Sequence, residues 1–110
     1  MSIIKQVQAD HERPFLALTA VNDFNGTRMI NRLCKHFSHK INAGWNERHG
    51  YIEFEMGFCD MKANNNDLSL RCGANSQTDL LEITDCIHSH FLRFAKRTDC
   101  FLVWNVTHVE

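Results

Sequence analysis

His36 and His39, three residues apart, are the first pattern in the chain with chemical content. On a helix such a pair shares one face, and two imidazoles on one face could give two nitrogens to a metal. A metal site needs a third ligand, and the neighbours here are Arg28, Arg32, Lys35 and Lys40. Those cations repel a bare metal ion and attract carboxylates, phosphates or catecholates, with Arg forking onto a planar carboxylate. No acid lies between Arg28 and Lys40. The stretch supports three readings. It is the solvated side of an amphipathic helix; or Arg28, Arg32, Lys35, His36, His39 and Lys40 hold an anion or an anionic chelate; or His36 and His39 ligate a metal or haem directly. In the second reading, protonation of the imidazoles near neutral pH tightens binding.

Other residues carry less. Cys34 lies on the apolar side of the same helix, where a thiol behaves as a small hydrophobe; a small enzyme using Cys34 or a histidine is the alternative function. No G-x-S-x-G, Walker loop or G-x-G-x-x-G is present. Glu53 and Glu55 share one face of a strand, where carboxylates are ordinarily solvated. Tyr51 alternates onto that same face, and the acids beside it oppose phosphate, which disfavours RNA. His88 and His90 are two apart on a helix, flank its apolar stripe and cannot clasp one metal. Trp45 and Trp104 read as core or rim aromatics.

The elements that must position these residues follow from periodicity. Residues 14–21 read as a strand opened by Pro14, and 22–26 as a cap-rich turn. Ile30, Leu33, Cys34, Phe37 and Ile41 make one apolar stripe, predicting a helix over 27–40. Residues 44–72 alternate with period two in a meander of strands, with turns at 47–50, at Gly57 and at 64–67. Ser76 and Asp79 resemble a capping box ahead of a helix over 77–97. Residues 100–106 read as a closing strand. The order β-α-β-β-β-β-α-β, with single-striped helices, predicts an α+β domain: a mostly antiparallel sheet with both helices on one face.

The chain has 110 residues, and its 12 Lys+Arg against 13 Asp+Glu give a net charge of −1. That is one domain, 1–110, with residues 1–12 expected as a flexible N-terminus. A globally basic nucleic-acid binder is excluded, so any basic patch is local. One Pro and 5 Gly argue against disorder. Neither a signal-peptide core nor an apolar run of membrane-spanning length is present, so the expected compartment is the cytoplasm, with no membrane partner. Five cysteines without a C-x-x-C pair disfavour disulfides and a thiolate zinc site.

The stretch Arg28-Met-Ile-Asn-Arg-Leu-Cys-Lys-His-Phe-Ser-His-Lys40 resembles the signature of a bacterial family known only as domain of unknown function 2218. Arg28, Leu33, Cys34, His36, Phe37, His39 and Lys40 match its pattern, while Met29-Ile30 replaces an aromatic-Leu pair. Gly57-Phe58-Cys59 resembles a later step, His90-Phe-Leu-Arg-Phe-Ala-Lys-Arg97 its ending, and Trp104 a terminal strand Trp. The resemblance implies a small α+β fold, similar to the carboxy-terminal, TBP-like domain of phosphohexomutases. It also implies a role around iron–siderophore use, with a siderophore-interacting flavin reductase or an anionic small molecule as partner and iron or a ferric chelate as what is bound. It brings no catalytic residue. A structural module, dimerising along a sheet edge, is the reading from a third class.

Overall fold

The alternation and the stripes become real elements in the computed structural model, which describes residues 13–96 and 100–108. The expected flexible segment 1–12 lies outside the described residues. In chain order the elements are β1 (Phe15–Asn22), α1 (Gly26–Phe37), β2 (Asn42–Trp45), β3 (His49–Phe54), β4 (Gly57–Asn64), β5 (Asp67–Ala74), α2 (Gln77–Ala95) and β6 (Asn105–His108). The strands form one sheet in the order β2-β3-β4-β5-β1-β6, and every pairing is antiparallel. This is the expected α+β order.

One side of the sheet carries the core. Ala17, Ile52, Cys59, Met61, Ala63, Leu68, Leu70, Cys72 and Ala74 recur at alternate positions along four strands. They cluster with Met29, Ile30, Leu33 and Cys34 from α1 and with Leu80, Ile83, Ile87 and Phe91 from α2. Both helices therefore bury their stripes against the same face, as a period of 3.6 meeting a period of 2 requires. Each buried Leu or Ile contributes roughly 1.5–3 kcal/mol. On the opposite face Tyr51 and Phe58 are also buried. Tyr51 thus offers no open platform on which a base could stack.

The capping residues act as their types predict. The Asn25 side chain accepts the Arg28 backbone N–H at 3.1 Å, and Ser76 Oγ accepts that of Asp79 at 3.1 Å.

Four boundaries differ from expectation, each for a physical reason. The first helix ends at Phe37, not Lys40. Ser38 N–H donates to the Cys34 carbonyl at 2.9 Å, and Ser38 Oγ donates to the Lys35 carbonyl at 2.8 Å. This hydroxyl competes for the carbonyls of the last turn, and the chain then reverses so that Ile41 packs on the core ahead of β2. The third strand stops at Phe54, which puts Glu55 in a turn and off the face it was expected to share with Glu53. Gly57 is not the turn itself. It opens β4 where a Cβ would come within 2.1 Å of the Gly73 carbonyl oxygen and 2.7 Å of Ile83 Cδ1, so close approach is what excludes a side chain. The last strand begins at Asn105. Residues 100–104 instead run irregularly, alternating buried Cys100 and Leu102 with exposed Phe101 and Val103.

Candidate functional site

Arg28, Arg32 and Lys35 stand at i, i+4 and i+7 on α1 and are all exposed. At 100° per residue they form one cationic line, with His36 next to it. Lys35 and His36 occupy the last turn, where the helix dipole favours positive charge. His39 and Lys40 are exposed in the turn that follows. The expected sharing of one helix face by His36 and His39 therefore fails, because the helix has ended before His39.

His36 meets a different imidazole. Its ring centroid lies 4.8 Å from that of His90 on α2, 5.2 Å from Phe37 and 5.7 Å from Phe94. Beside it, the Arg32 guanidinium carbon sits 4.8 Å above the Phe94 ring. A cation over an aromatic face is attracted by the ring quadrupole. His90 is oriented in turn. Its Nδ1 is 2.8 Å from the Cys86 carbonyl. A carbonyl only accepts, so Nδ1 donates its N–H there. His88 and His90 are both half-buried beside the stripe, as expected. His88 Nε2 accepts the Leu102 backbone N–H at 3.2 Å and pins the irregular segment to α2.

The electrostatics of the face are one-sided. Burial against its neighbours, then the positive character of His90, Arg93, His39 and Lys40, push the His36 pKa below the ordinary imidazole value. These residues therefore share one field. Among the described residues no carboxylate makes an ion pair with Arg28, Arg32, Lys35, His36, His39, Lys40 or Arg93. Arg32, His36, His39 and Lys40 are thus brought together with His90, Arg93 and Phe94. Arg28 and Lys35 extend the same cationic surface without touching a ring.

Direct metal ligation by His36 and His39 finds no support in this arrangement. Among the described residues no group of three or more His, Cys, Asp or Glu side chains converges as a metal site would require. Cys34 is fully buried, with its Sγ 3.9 Å from the Tyr51 carbonyl. Burial pushes this thiol up to about 12, so it is protonated at neutral pH, when a nucleophile would need the thiolate. Trp45, half-buried, donates from Nε1 to Asn31 Oδ1 at 3.0 Å and ties β2 to α1. Among the described residues no helix is long and apolar enough to cross a membrane.

Residues 19–105 match the family described as an uncharacterized protein conserved in bacteria, DUF2218. The chain belongs to that family. Among solved structures it is similar to the NMR structure of PA4090 from Pseudomonas aeruginosa, with a TM-score of 0.71 and 23% sequence identity. The likeness covers 83% of this chain and 95% of that one, and it shows the fold. No curated protein matches the chain.

The DUF2218 signature acquires a spatial meaning here. Its resemblance rests chiefly on residues 28–40 and on the stretch that begins at His90, and these two stretches meet where His36 faces His90 and Arg32 covers Phe94. His90, Arg93 and Phe94 were not singled out as site residues from the sequence. The one available hint was that both stretches carry the family pattern, and periodicity alone does not tell which faces of two helices will meet.

Proposed function

We propose that this DUF2218 chain is a cytoplasmic binding domain that holds an anionic ligand on the α1–α2 face, with a ferric chelate as the ligand and iron–siderophore utilisation as the setting. The observation that supports this is the convergence of the two family-signature stretches into an exposed cationic and aromatic surface, unneutralised by carboxylates among the described residues. Arg32, Lys40 and Arg93 supply charge, and His36 supplies a hydrogen-bond donor. The chelate keeps the iron ligated by its own oxygens, which agrees with a face too cationic for a bare ion. A siderophore-interacting flavin reductase carrying acidic groups would meet the same surface.

Titration with a ferric tris-catecholate, followed by quenching of Trp fluorescence, tests this. Trp45 is bonded to α1 and reports on that helix. Saturable quenching is expected. Arg32→Gln combined with His36→Gln should weaken it about tenfold or more, since a hydrogen bond to a charged group is worth roughly 1.5–3 kcal/mol. Equal affinity in the double variant would remove the site.

A second reading rests on the opposite end of the sheet. Phe101, Val103 and Val106 are 61%, 64% and 52% exposed next to or on the edge strand β6. A second copy pairing along that edge would cover them. Light scattering across a concentration series distinguishes a dimer from a monomer.

A further inference from the structure

The Arg32–Phe94 pair carries more information than its charge. A solvated arginine used only as a point charge would sample many rotamers. Here the guanidinium carbon sits over a ring, 4.8 Å from its centroid, and Arg32 is exposed, so the side turned away from Phe94 faces solvent. Next to it stands a second planar group. The His36 ring is edge-on to Phe94 at an interplanar angle of 69° and is tilted against His90 at 47°. His36 too is exposed. Phe37, which meets both His36 and His90, packs edge-to-face on Phe54 at 5.6 Å. The surface therefore presents two flat, polarisable groups, one of them the positively charged Arg32, set against aromatic rings.

We propose that the ligand of this face is a planar aromatic anion, which stacks on the outer side of the Arg32 guanidinium while its anionic oxygens are bound by the surrounding cations. This deepens the anion-binding reading above and rests on it. An aliphatic anion of the same charge satisfies Arg32, Lys40 and Arg93 equally well but gains nothing from the supported plane. A guanidinium sandwiched between Phe94 and a ligand ring is held on both faces, with its N–H edge still free to fork onto an oxygen of the ligand. Lysine in its place keeps the charge and loses both the plane and the fork.

Benzene-1,3,5-tricarboxylate and propane-1,2,3-tricarboxylate form a matched pair of probes, with three carboxylates each and an aromatic ring in only one. Their affinities are read from backbone and side-chain NMR shifts of α1 and α2 at fixed pH and salt. The aromatic tricarboxylate is expected to bind about tenfold more tightly, the size of one stacked cation–aromatic contact. Arg32→Lys should bring the two probes to within about twofold of each other, because both carboxylate probes lose the fork but only the aromatic one also loses the plane. Phe94→Leu, which keeps Arg32 but removes its support, should do the same. Because Arg32 is exposed, Arg32→Lys leaves the core intact and gives a result even if Phe94→Leu impairs folding. Equal affinities in the wild-type protein overturn the stacking proposal and leave the anion-binding face standing. If neither probe shifts the α1–α2 resonances, both are lost. A preference that survives in Arg32→Lys also overturns it, because the plane of Arg32 is then not the cause.

Discussion

At the scale of single residues, the chain separates groups that face water from groups that could react but are kept inert. Cys34 belongs to the second kind. Its thiol is pushed up to about 12 chiefly by burial, and the Tyr51 carbonyl is its one described partner. Cys59, directly opposite Cys72 across β4 and β5, is also raised, first by its hydrogen bond with that thiol and then by burial. The consequence for stability has a definite sign. In the unfolded chain a cysteine ionises near pH 9, while the folded thiol stays protonated until about pH 12. Between those values the native state binds more protons than the unfolded state, so stability falls as pH rises through the window and is intact below it. Cys34 contributes on the order of 1.4 kcal/mol per pH unit there. Thermal melts from pH 8.5 to 11.5 should therefore show a decline that becomes shallower in Cys34→Ala. At pH 7.5, iodoacetamide should modify native Cys34 no faster than global unfolding allows. Rapid labelling of that residue would restore the nucleophile reading that its burial argues against.

At the scale of elements, the strongest constraint is the close approach of β4, β5 and α2 around Gly57. A methyl group there would overlap the Gly73 carbonyl, which is backbone and cannot rotate away. Gly57→Ala is expected to cost about 2–3 kcal/mol or more, in the range of overpacked core substitutions, with the loss visible in urea midpoints. Replacing Asn25 or Ser76 by Ala, which removes one capping acceptor each, should cost only about 1 kcal/mol. The types and order of the elements were legible because Ile30, Leu33, Cys34 and Phe37 repeat with a helical period and Cys59, Met61 and Ala63 with a strand period. The end of α1 was not. Phe37 and Ile41 both pack on the core, so the stripe runs on past the helix, while the residue that ends it, Ser38, acts through local hydrogen bonds that periodicity does not register. The candidate face was legible by half. The cations of α1 follow from spacing, but the meeting of His36 with His90 is a product of tertiary packing between helices separated by the whole β2–β5 meander.

At the scale of the whole molecule, charge is segregated rather than scarce. The segment 26–40 holds four of the 12 Lys+Arg and none of the 13 Asp+Glu, so the remainder of a chain of net charge −1 is distinctly acidic. The principal extents are 35 × 30 × 25 Å. Screening lengths are about 30 Å at 0.01 M salt and about 10 Å at 0.1 M, so at intermediate salt a charged surface senses one side of this molecule instead of its sum. The protein should therefore be retained on a sulfonate resin at pH 8 and roughly 0.05 M salt, although its net charge is negative there. Arg28→Gln with Arg32→Gln should elute markedly earlier, whereas removing a cation remote from the face, such as Lys62→Gln on β4, should shift elution little. Flow-through of the wild-type protein, or equal shifts from the two kinds of variant, would mean that the cations of α1 do not act as one surface. A partner approaching from solution would then have no field to orient it toward the His36–His90 cluster.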